Sequence, residues 1–96
     1  MKGLFILYAP ALENEVMDIL QRTGASHYTK FSSLHGVGGH SDPHLDTSVW
    51  PGTNTGLLVV TDDATKDKLV KEMKTLKTEY LKEGVKVFVL PVEDVI

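Results

Sequence analysis

The chain has 96 residues, no cysteine and a net charge of −3, with 42% hydrophobic and 24% charged residues. A chain this short folds as one domain, here 1–96, and buries only about 60–65% of the surface its unfolded form exposes, which leaves no room for a deep private pocket. Without cysteine there are no disulfides, thiolate metal sites or cysteine nucleophiles, and the acidic balance speaks against a general nucleic-acid binder. The composition fits a globular domain in a reducing cytosol. No cleavage-type pattern follows the apolar run at the N-terminus. No run approaches the ~20 residues of a membrane span, so the expectation is a cytoplasmic protein that is not membrane-inserted.

Lys2–Ala9 (KGLFILYA), stopped by Pro10, reads as a buried strand. Leu12, Val16, Ile19 and Leu20 then recur at helical spacing, with Glu13 and Glu15 in the first turn and Gly24 as the stop. His27–Leu34 (HYTKFSSL) suits a second strand. Gly36–Asn54 holds four glycines and two prolines and reads as a long loop, of a length that is usually functional. Thr55–Thr61 (TGLLVVT) is a third strand. Asp62 or Asp63 caps the next helix, whose inner face is Leu69, Met73, Leu76 and Tyr80 and whose end falls near Lys82–Gly84. Val85–Val92 (VKVFVLPV) is the last strand.

This β-α-β-β-α-β order predicts an α+β, ferredoxin-like fold, an antiparallel sheet with two helices on one face. The pattern also says something about partners. Leu4 to Leu7, Leu57 to Val60 and Val87 to Leu90 are apolar at consecutive positions. Side chains alternate between faces, so both sheet faces are apolar and the helices cover one. Self-association through the bare face is the expected remedy; the alternative is a monomer with an apolar outer face.

Four features could carry chemistry. His35, His40 and His44, with Asp42 and Asp46 between and after them, supply imidazole and carboxylate ligands for zinc, copper or nickel. Their spacing matches no standard zinc motif, and solvated loop histidines are the plainer reading. His27 lies outside the cluster and reads as structural. Gly36, Gly38 and Gly39 let backbone N–H groups approach an anion closely, yet no helix begins there, as phosphate fingerprints require. Trp50, the only tryptophan, is either a partner contact or an anchor for its own loop. Residues 66–83 carry six lysines against four acids, the pattern of a solvated helical face. No nucleophile elbow or carboxylate pair marks an active site.

Two segments resemble a known family. Lys86-Val87-Phe88-Val89-Leu90-Pro91-Val92-Glu93-Asp94-Val95-Ile96 is close to the last strand and its continuation in the PII superfamily of trimeric signalling proteins. Leu34-His35-Gly36-Val37-Gly38-Gly39-His40 resembles the Gly-x-Gly that opens that family's T-loop. With the element order and the long loop, the likeness spans nearly the whole chain and points to a divergent PII-like branch. It implies a homotrimer with inward-facing sheets, effectors held in clefts between subunits, and a T-loop that regulates a partner such as a membrane transporter. Nucleotide-contacting groups are only partly kept. The family's Gly-Asp-Gly-Lys turn is Glu83-Gly84-Val85-Lys86 here, and Gly39 and His40 stand where it has a basic residue and glutamine. The effector set implied is Gly36, Gly38, Gly39 and Lys86. The histidines favour a transition-metal ion over ATP or ADP. The expectation is therefore a non-enzymatic, PII-like regulator. The alternatives are a CutA-like metal-tolerance protein without a dedicated partner, or a small enzyme with a histidine base.

Overall fold

The computed structural model describes residues 1–36 and 53–96. Among these, the elements run β1 (Lys2–Tyr8), α1 (Glu13–Thr23), β2 (Thr29–Leu34), β3 (Asn54–Thr61), α2 (Asp63–Glu79) and β4 (Val85–Pro91). A short 3-10 turn, Pro10–Leu12, leads into α1. Proline suits that first position, where its missing N–H would go unpaired anyway. Gly24, at φ +85°, ends α1 in the left-handed region, and the Ala25 N–H reaches back to the Leu20 carbonyl at 2.9 Å. Asp62 caps α2, its carboxylate accepting the Thr65 N–H at 2.7 Å.

The strand ends of β1, β3 and β4 differ from the expectation by one residue, and two boundaries differ by more. β2 starts at Thr29, leaving His27 and Tyr28 outside the strand and exposed. α2 ends at Glu79, where the Tyr80 N–H closes the last helical bond on the Leu76 carbonyl at 3.0 Å. The chain then turns through Gly84, at φ +81°, into β4.

The sheet has the order β2-β3-β1-β4 with every neighbouring pair antiparallel. This is the ferredoxin-like split arrangement. Ile6 lies opposite Leu57 on one side and Val87 on the other; Leu4 lies opposite Val59 and Val89. These residues point toward the helices, where Leu4, Ile6, Tyr8, Leu57 and Val59 pack with Val16, Leu20, Leu69 and Met73 in one core. An exposed clip joins the helices, with Arg22 donating to Asp18 and to Glu72, each at 2.9 Å.

The alternate residues form the opposite face. Leu57 is fully buried while its neighbour Leu58 is 37% exposed. Phe88 and Leu90 are 45% and 49% exposed. Phe5 lies between Leu58 and Phe88 in the register, Leu7 lies between Gly56 and Lys86, and both are half-buried. No described residue covers this face.

Truncating Leu57 leaves a cavity under α1 and α2. We expect Leu57→Ala to lower stability by about 2–5 kcal/mol, read by urea unfolding.

Candidate functional site

The loop end of the sheet is built around one glycine. A Cβ on Gly56 would come within 2.6 Å of Leu34 Cδ1 and within 3.1–3.2 Å of the Phe5 ring and Leu7. Only glycine allows these three side chains to close over β3. Leu34 reaches that position because β2 is irregular. Phe31 pairs with Gly56, but Leu34 pairs with Asn54, a register shift across Ser32 and Ser33. Ser33 takes φ +59°, a left-handed conformation unfavourable for a residue with a side chain. The extra residue turns Leu34 onto the same face as Phe31, where strict alternation would have put it on the other. Phe31 stands edge-on to Phe5, centroids 6.0 Å apart.

One cross-strand row on this face reads Phe31, Gly56, Leu7, Lys86. Lys86 is half-buried and forms no ion pair with any described residue. By alternation it is the one charged strand residue on the open face among the described residues. His35 and Gly36 are exposed and directly follow β2, so they sit at the same end of the sheet as Lys86 but at the opposite edge. Three inter-strand steps separate β2 from β4, roughly 14 Å. A single chain does not bring these predicted residues together.

On the helix side, Lys30 of β2 donates to Glu13 Oε2 at 2.7 Å and the Tyr8 hydroxyl donates to Glu13 Oε1 at 2.6 Å. This network ties β1, α1 and β2. Sequence reading placed Glu13 only as a first-turn acid; nothing local in the sequence signals that Lys30 reaches it. The hydrogen bonds from Lys30 and Tyr8 hold the Glu13 carboxyl below the usual range. Burial, and then the bond to Glu13, push the Tyr8 phenol well above its ordinary value.

Among the described residues, grooves mark the helix layer. One, of about 280 Å³, runs between α1 and α2 and is acidic, with Glu15, Asp18, Glu72 and Glu79 around Arg22. Another, of about 260 Å³, lies between α2 and β4, with Val70, Met73 and β4 valines below and Lys74 and Lys77 beside them. No group of three or more His, Cys, Asp or Glu side chains among the described residues is placed to hold a metal. Of the predicted metal set only His35 is described; His40, Asp42, His44 and Asp46 lie outside the described residues, as do Gly38, Gly39 and Trp50.

The family model described as nitrogen regulatory protein P-II matches residues 1–96. The chain belongs to the P-II family. Solved structures agree on the fold. CPII from Thiomonas intermedia K12, bound to ADP, AMP and acetate, is 21% identical with a TM-score of 0.71, over 93% of this chain and 82% of that one. Its apo form gives 20% and 0.65, over 95% and 89%. A PII-like signaling protein from Thermus thermophilus gives 21% and 0.57, over 92% and 81%. A comparison with curated proteins finds no significant match. No helix of this P-II family chain, among the described residues, is long and apolar enough to cross a membrane.

Two outcomes follow from the site's geometry. Because the Glu13 carboxyl is held low in the folded chain, its contribution is present above about pH 4.3, the unfolded value, and is lost as pH falls through the lower folded value. Glu13→Gln should cost about 1 kcal/mol at neutral pH and flatten the acid side of a stability–pH curve from thermal melts. Ser33→Gly should relieve the left-handed strain and stabilise the chain by about 0.5–1 kcal/mol, read by the same melts.

Proposed function

We propose that the chain is a non-enzymatic regulator that assembles as a homotrimer through its open sheet faces. In this reading it takes a small anionic effector where the β4 edge of one copy meets the β2 edge of the next. The loop between β2 and β3 then acts on a partner protein, a membrane transporter being one candidate.

The observation that carries the reading is Lys86. It is a cation without an ion-pair partner among the described residues, at the margin of a face that carries no other charged strand residue among them. Covering that face buries the lysine's surroundings, and a buried ammonium needs an anion. His35 and Gly36 lie too far from Lys86 within one chain but on the edge that a neighbouring copy would present. The nucleotide-bound CPII structures favour an adenine nucleotide as that anion. We therefore place it ahead of the transition-metal ion that the histidines suggest. The metal reading, at His35, His40, Asp42, His44 and Asp46, is kept as the second. A CutA-like metal-binding protein without a partner would share the trimer and show the metal response alone.

Sedimentation and calorimetry separate these. We expect a trimer that Phe88→Glu dissociates, and ADP or AMP binding that Lys86→Ala weakens by about tenfold or more. A monomer, or nucleotide binding indifferent to Lys86→Ala, overturns the assignment. Zinc, copper or nickel binding that is lost in the His35→Ala/His40→Ala/His44→Ala variant, with no nucleotide binding, moves the effector to the metal.

A further inference from the structure

The two halves of β2 are held very differently. Up to Phe31 the strand is pinned. Thr29, Lys30 and Phe31 pair with Leu58, Leu57 and Gly56 without interruption. Lys30 is tied to Glu13 at 2.7 Å, and the Phe31 ring stands edge-on to Phe5. Beyond Phe31, Ser32 and Ser33 together oppose Thr55, and pairing resumes only between Leu34 and Asn54. Both serines are exposed.

Two opposed terms fix this second half. Ser33 is held at φ +59°, which a residue with a side chain resists. Against that strain, Leu34 gains a seat over Gly56. A Cβ on Gly56 would meet Leu34 Cδ1 at 2.6 Å, the Phe5 ring at 3.1 Å and Leu7 Cδ2 at 3.2 Å, so Leu34 and Phe5 converge on one point above β3. Leu34 is half-buried there. One strained residue and the partial burial of one leucine are terms of similar size.

A regular ladder continued from Phe31 would set Ser32 opposite Thr55, Ser33 opposite Asn54 and Leu34 opposite Thr53. Ser33 would then be extended. A slip of one residue exchanges faces, so Leu34 would turn to the helix side. His35 would turn the other way, to the face that carries Lys86.

We propose that the end of β2 is a register switch with these two states, selected by whether Leu34 occupies the seat over Gly56. While Leu34 is seated, the bulge is held and Ser33 stays left-handed. When Leu34 is displaced, Ser33 relaxes to extended backbone and the ladder closes in the regular register. The change stops at Phe31 on one side and reaches His35 on the other, where the chain leaves the sheet. Neither state rests on the assembly or the effector reading.

The test is nuclear Overhauser spectroscopy on the full chain with labelled leucine methyls and backbone. The unsubstituted protein should show contacts from Leu34 methyls to the Phe5 ring and to Gly56, and backbone contacts between Leu34 and Asn54. Gly56→Ala fills the seat from β3. Ser33→Val opposes a positive φ from β2 and leaves the seat intact. Both variants should lose the Leu34–Phe5 contacts and show one shared set of new backbone contacts, position 33 with Asn54 and Leu34 with Thr53. Ser33→Gly, which removes the strain, should keep the original set. Should Gly56→Ala not fold, Ser33→Val decides alone, since position 33 is exposed. Either folded variant that keeps the Leu34–Asn54 pairing, with only the leucine side chain moved, overturns the proposal. So does loss of all pairing beyond Phe31, which would mean that the strand end frays and has no second register.

Discussion

The structure depends on one mismatch: the sheet is apolar on both faces and the chain supplies helices for one. Leu4, Ile6 and Tyr8 go under α1 and α2, while Phe5 and Leu7, one residue out of phase, face away. Fully burying one such side chain is worth about 1.5–3 kcal/mol. The open face also carries Leu58, Val60, Phe88 and Leu90, each between a third and a half exposed, so covering it still removes a continuous apolar surface from water. Other features of the open face follow from that constraint. Gly56 is bare so that Phe5, Leu7 and Leu34 can flatten over it. The β2 bulge turns Leu34 onto the same surface. Charge is kept to the margin, at Lys86.

The same constraint moves function to edges. Ninety-six residues leave little room for a deep cavity, and the recesses on the helix layer among the described residues are open grooves. Side chains that could hold a ligand sit on β2 at one edge and on β4 at the other, with two strands between. In the proposed trimer those edges become neighbours. The helix layer keeps its own polarity, acidic between α1 and α2 and basic between α2 and β4. Two faces of one helix therefore present opposite charge to their surroundings.

Much of the fold was legible in the chain. Periodicity placed both helices, Gly24 and Asp62 marked a stop and a start, and consecutive apolar residues announced a sheet with two apolar faces. The boundaries that slipped did so for local reasons. His27 and Tyr28 have strand-forming neighbours but no partner on β3, whose pairing begins opposite Thr29. The segment Leu81–Glu83 keeps a helical composition, yet the return through Gly84 needs those residues as a turn. The site was less legible because its contacts are long-range. Glu13 and Lys30 are 17 residues apart in the chain, and no spacing rule joins them. The bulge was hidden too, since Ser32-Ser33 carries no glycine to signal a positive φ. Lys86 could be named by its likeness to a family turn, but its isolation on an apolar face is a property of the sheet register alone.

The elements are not held with equal strength, and the difference falls where a regulator would need it. β1 lies between β3 and β4 with three fully buried side chains. β2 pairs with β3 alone, and every residue from Thr29 to Ser33 is exposed. Beyond its ladder, β2 is attached to the rest of the chain by the Lys30–Glu13 pair on one face and by Phe31 and Leu34 on the other. Segments with few buried apolar contacts open at low free energy, and moving parts are drawn from them. β2 leads directly into the segment that carries three of the histidines and four of the glycines. Its bulged, left-handed residue sits two positions before His35. In the proposed reading, an event at the open face that tightens Phe31 and Leu34 over Gly56 would act on β2, the strand held by the fewest buried side chains among the described residues.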